Sequence, residues 1–88
     1  MYPFIVEFVG TTIFTYVVLA TKNAIIIGAT LALILLIVGD ASRGGVNPAI
    51  LIAHVAAGKV STRDLLPYLF SQIMGAVAAV ELYRRYRI

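Results

Sequence analysis

The chain has 88 residues, of which 61% are hydrophobic and 12% charged, with a formal net charge of +3 and a mean hydropathy of +0.99. A soluble domain of this length could not hide so much apolar surface, so lipid is the expected solvent. The lack of cysteine excludes disulfide and thiolate chemistry, and the small polar surface leaves no basic face for nucleic acid.

In chain order, the first predicted helix covers about residues 2–20. The run from Met1 to Ala20 lacks a basic leader and carries Glu7, so it reads as a mature helix rather than a signal peptide. A carboxylate inside a span is costly, so Glu7 is expected to face protein and find donors. Thr21-Lys22-Asn23 is a polar break. A second helix is expected over about 24–39, a little short for a perpendicular span. The polar, glycine-rich Asp40-Ala41-Ser42-Arg43-Gly44-Gly45 then stops it.

Val46 leads into Asn47-Pro48-Ala49 and an apolar stretch that runs on to Ala57. A spanning helix needs roughly 20 apolar residues, whereas 10 to 14 suggests a segment that enters the bilayer and turns back. Irregular backbone at that depth survives only where it is buried in protein or lines a water-filled cavity. Asn is a good N-cap and Pro is favoured at the first helical position, so a short helix starts at Asn47. Gly58 can end it. The re-entrant loop and half-helix thus occupy about 40–58.

Ser61 and Asp64 have the spacing of a capping box, and Pro67 suits a first turn. A third long helix is therefore expected over about 64–84, closing on Arg84-Arg85-Tyr86-Arg87 at an interface. The expected fold is an all-α membrane protein: one unit over 1–88, with three transmembrane helices plus one re-entrant half-helix. With the N-terminal side called A, the third helix ends on side B. Tyr2, Tyr83 and Tyr86 read as interfacial belt residues, and the terminal arginines as an anchor touching anionic lipid. Ser71, Gly75 and Ala79 recur every four residues, while Gly28, Ala32 and Gly10 sit in the other helices. Small residues let membrane helices approach closely, and packing within one chain is the plainest account of them.

Four pieces in this order resemble the aquaporin, or major intrinsic protein, family: Glu7-Phe8-Val9-Gly10-Thr11, Gly28, Gly45-Val46-Asn47-Pro48-Ala49 and Gln72-Ile73-Met74-Gly75-Ala76. Members carry two inverted repeats, each with three spans and a re-entrant Asn-Pro-Ala loop. The resemblance covers nearly the whole chain and implies one such repeat. It implies that Asn47 donates a side-chain hydrogen bond to passing water, while the half-helix dipole disfavours cations. A plain N-cap is the alternative reading, and the two roles can coexist. The carbonyls of Gly44, Gly45 and Val46 match the family's ladder of acceptors, against a simple turn. Glu7 matches the acid that braces the loop. That role is preferred to proton relay, since no second acid lies near it in the first helix.

Some positions depart from the family pattern. Ile50 stands where strictly water-selective members carry Arg, and the narrowest-filter positions match Ile27 and Leu35. The filter would be apolar, which brings small neutral solutes into range beside water. Arg43 stands where the family usually has Gly. It either turns into the pore mouth or snorkels beside Asp40. A lone His54 makes no metal site and reads as a polar packing contact; no cofactor is implied.

The family pore needs two half-helices meeting end to end. Side A carries Arg43, Lys59 and Arg63, and side B carries Lys22, Arg84, Arg85 and Arg87, a near tie under the rule that fixes orientation. Dual topology is therefore expected, with two copies pairing antiparallel so that their Asn-Pro-Ala loops meet at the midplane. By resemblance, four such dimers would form an octamer. The expected function is a passive transmembrane channel for water or small neutral solutes. The alternatives are a half-channel subunit needing a different partner half, or a non-conducting membrane scaffold. No paired acid, metal cluster or activated nucleophile suggests an enzyme.

Overall fold

The computed structural model describes residues 2–87, and among them the regular structure is entirely helical. Helix α1 spans Tyr2–Ala20, α2 Ala24–Val38, α3 Pro48–Ala56 and α4 Leu65–Arg85, the last entered through a 3-10 turn at Thr62–Asp64. Two segments are long and apolar enough to cross a membrane, Tyr2–Ala20 and Thr62–Arg85, whereas α2 has 15 residues.

Helices α1 and α4 lie side by side and run in the same direction. Phe4 meets Tyr68 edge to face at one end, with ring centroids 4.9 Å apart, and Tyr16 meets Tyr83 at 6.4 Å at the other. Small residues permit the approach between them. A Cβ on Gly75 would stand 2.8 Å from Thr11 Cβ and 3.0 Å from the Phe8 carbonyl oxygen. Ser71 and Ala79 are buried along the same stripe. In lipid such close packing, rather than hydrophobicity, holds helices together.

Helix α2 turns back on α1 after a tight polar link. Asn23 caps it, with Oδ1 accepting from Ile25 N at 2.9 Å and Ile26 N at 3.1 Å. Gly10 on α1 provides the contact point, since a Cβ there would meet Val46 Cγ1 at 3.2 Å and Ile34 Cγ2 at 3.3 Å. Gly28 does not share this role: a Cβ would meet nothing within 4 Å, so within the chain it packs against no other helix. It is exposed on α2, turned away from α1.

Helix α3 is pinned by one side chain. Leu51 is fully buried with Val60 and Tyr68, and Phe4, Val55, Leu65 and Leu69 pack around them. Its flanking residues Ile50 and Ile52 remain exposed. Gly58, at φ +79°, ends the helix in the left-handed conformation that glycine favours. Two sequence expectations shift here. Gly39 is the cap of α2 rather than its last residue. Ser61 Oγ accepts from Arg63 N at 3.3 Å, but Asp64 makes no side-chain capping bond, so the 3-10 turn replaces a capping box.

Candidate functional site

The loop between α2 and α3 presents its backbone to two buried side chains. Glu7 is 1% exposed. Its Oε1 accepts from Ser42 Oγ at 2.6 Å, and its Oε2 accepts from Val46 N at 2.6 Å and Gln72 Nε2 at 2.8 Å. The same Gln72 amide donates to the Gly44 carbonyl at 3.0 Å. Two more contacts hold the next residue, since Arg43 N donates to the Tyr68 hydroxyl at 3.2 Å and the Arg43 carbonyl accepts from His54 Nδ1 at 2.8 Å. One loop is thereby tied to α1, α3 and α4. A buried carboxyl group reached by three donors has its polar partners in place.

Local backbone choices make this possible. Gly44 is buried, and a Cβ on it would lie 2.5 Å from the Glu7 carboxyl carbon, so no other residue fits. Gly45 sits at φ +69° and Val46 at φ +50°. The second value is uncommon for a β-branched residue and stores strain of order 1–3 kcal/mol, held by the surrounding bonds. It aims the Val46 N–H at Glu7 while the valine side chain fills the space over Gly10.

The opposite face of the loop is open. Asn47 Oδ1 accepts from Ala49 N at 2.8 Å and caps α3, while Pro48 takes the first helical position. The Asn47 Nδ2 amide makes no bond to the chain among the described residues and is exposed. A cleft of about 320 Å³ lies beside it, lined by Phe14, Leu31, Leu35, Gly45, Val46, Asn47, Ile50 and His54. An apolar wall with a few convergent polar groups is the usual make-up of a small-molecule site.

Of the residues singled out in the sequence, Gly45, Val46, Asn47, Ile50 and Leu35 line this cleft together. Ile27 lies two turns before Leu35 on the same stripe of α2, beyond the cleft, and Pro48 and Ala49 are exposed next to it. Gly44 is not among the residues lining the cleft, and its carbonyl accepts from Gln72 on the inner face. Arg43 is exposed, and the ion pair with Asp40 is absent: among the described residues the sole salt bridge is Arg84–Glu81. His54 is more than a packing contact, since it clamps the loop and borders the cleft. Sequence reasoning assigned no role to Phe14, Leu31 or Gln72. For Gln72 the signal was present as a lone amide inside an apolar span.

The sequence model of the family described as Major intrinsic protein matches residues 1–87. The chain belongs to the major intrinsic protein family. It is 36% identical over 59 residues to Aquaporin Z of Brucella melitensis biotype 1, a match covering 67% of this chain and 26% of that protein. It is 33% identical over 60 residues to the aquaglyceroporin AqpS of Rhizobium meliloti, covering 68% and 26%. Aquaporin-8 of Mus musculus is 31% identical over 91 aligned positions, covering 91% of this chain and 35% of that protein. The matches thus span about a third or less of these curated relatives. No solved structure gives a significant match. Family membership and the long apolar helices make this an integral membrane protein.

Proposed function

We propose that the chain forms one half of a passive channel for water and small neutral solutes, and that a second, oppositely inserted copy supplies the other half. The observation that carries this reading is the free Asn47 amide at the start of α3, set beside an open cleft and backed by a rigidly tied loop. The first turn of a helix gathers unpaired donors and partial positive charge, which favours a polar neutral or electron-rich visitor and disfavours cations. In this reading α3 is the re-entrant half-helix and α2 is the third span. At about 1.5 Å per residue α2 covers roughly 22 Å, a deficit the bilayer accommodates by local thinning.

The cleft wall suggests the permeant class. Phe14, Leu31, Leu35 and Ile50 offer no charge, and Asn47, His54 and the Gly45 and Val46 backbone supply the polar edge. Such a path suits water and compact neutral solutes such as glycerol. The similar proteins carry the names aquaporin and aquaglyceroporin, which supports testing both permeants. Two antiparallel copies would bring both Asn47 amides to the midplane, with four dimers as the complete assembly. The near balance of Lys and Arg on the two sides supports insertion both ways.

Two measurements test this. Stopped-flow shrinkage of liposomes holding the purified chain alone is expected to exceed that of empty vesicles for water, glycerol or both. Rates equal to the empty control would favour a non-conducting scaffold or a missing partner half. Tags on the two termini should each be accessible from both sides of the membrane in comparable amounts. A single orientation would end the antiparallel arrangement while leaving the permeability result standing.

A further inference from the structure

At the far end of the α1–α4 seam lies a second recess, unrelated to the loop. It has a volume of about 310 Å³ and is lined by Thr12, Ile13, Tyr16, Val17, Leu82 and Tyr86. Its polar atoms already have partners. Thr12 Oγ1 donates to the Phe8 carbonyl at 2.8 Å, and the Tyr16 hydroxyl donates to the Tyr86 carbonyl. What remains exposed in the recess is hydrocarbon, so an alkyl occupant fits and a polar one would lose its hydrogen bonds.

Three arginines flank Tyr86 of the recess in the sequence at this end of α4. Arg84 is 3.4 Å from Glu81, while Arg85 and Arg87 have no acidic partner among the described residues. The Arg87 guanidinium lies 5.3 Å from the centre of the Tyr83 ring, and Tyr83 meets Tyr16, which forms part of the recess wall. A cation with no acidic partner among the described residues is thus held next to an apolar slot by a chain of aromatic contacts. Both features sit where the two long helices end together, at the depth expected for lipid headgroups.

We propose that this is a binding site for an anionic phospholipid, with one acyl chain in the Thr12–Leu82 recess and the phosphate at Arg87 and Arg85. The slot calls for an alkyl chain and the arginines call for an anion, and an anionic phospholipid joins the two at this level of the bilayer. A zwitterionic lipid carries its own cation beside the phosphate and satisfies the arginines less well. The proposal does not depend on the chain conducting anything.

The test uses the full chain in a neutral detergent, with lipid binding read by native mass spectrometry. Phosphatidylglycerol is expected to bind saturably and phosphatidylcholine more weakly. Free glycerol phosphate, which lacks acyl chains, is expected not to bind. Arg85→Gln and Arg87→Gln should each weaken phosphatidylglycerol binding about fivefold, the ratio that corresponds to about 1 kcal/mol per basic residue. Ile13→Trp, which fills the slot and keeps every charge, should also lose the lipid. Lys59→Gln, at the other end of α4, should change nothing. All four sites are exposed, and circular dichroism checks that each variant folds. Equal binding of the two phospholipids, or full binding by the double Arg85→Gln, Arg87→Gln variant, would overturn the site. Binding of glycerol phosphate as tight as that of the lipid would overturn the role of the recess.

Discussion

The two faces of the α2–α3 loop have opposite chemistry. On the inner face, the Glu7 carboxyl group, Ser42 Oγ, the Gln72 Nε2 amide and the Tyr68 hydroxyl bond one another and the backbone of Arg43, Gly44 and Val46. On the outer face, Asn47 keeps an amide free above an apolar cleft. The contrast teaches how a small membrane protein presents a polar site in hydrocarbon. Buried polar groups are directed inward to fix the backbone, so that one or two can be left exposed in a defined place.

The largest way to break the comparison is to remove the hub. Glu7→Leu leaves the Ser42 hydroxyl, the Val46 N–H and the Gln72 amide short of an acceptor, at about 1–3 kcal/mol for each unsatisfied buried group. The folded yield in detergent should collapse, and an unchanged melting temperature by circular dichroism would show that the inner face does not hold the loop. Leu51→Ala comes next. It empties the one fully buried position of α3 and should cost about 2–5 kcal/mol of thermal stability. Gly75→Ala drives a methyl into Thr11 and the Phe8 carbonyl and should cost about 1–3 kcal/mol. Gly28→Ala, open on all sides, should stay within about 0.5 kcal/mol in the monomer. A much larger loss at Gly28 in the assembled protein would reveal a neighbouring subunit packed there. The smallest effect on stability is expected for Ile50→Arg on the outer face, within about 0.5 kcal/mol because the site is exposed. Its effect should fall on permeability instead, lowering the glycerol rate relative to water in the same liposomes.

The inner face was partly legible in the sequence and the outer face less so. Glu7 announced itself, because an acid in an apolar run must find donors. The start of α3 was equally plain, since Asn and Pro have separate local reasons to stand where they do. Gln72 lies 65 residues from Glu7, and nothing local says that the two meet. The bond from Gln72 to the Gly44 carbonyl was hidden for the same reason, since it comes from a side chain on a distant helix. Phe14 and Leu31 look like any other apolar residues of a span, and only the relative rotation of α1 and α2 turns them toward the cleft. The Ser61–Asp64 pair failed because its spacing serves a 3-10 turn as readily as a capping box.

The clasp at Glu7 also imposes an order of events on synthesis. Its carboxylate leaves the ribosome first, the Val46 amide follows 39 positions later and the Gln72 amide 65 positions later. At about 5–20 residues per second, the first helix would wait roughly 3–13 s for its last partner. From the synthesis of Val46 to that of Gln72 the polar turn lacks its ties to Tyr68 and Gln72 and cannot rest in hydrocarbon without cost. The turn must therefore wait at the water boundary and sink into place after the final helix arrives, which makes its docking a late step of biogenesis.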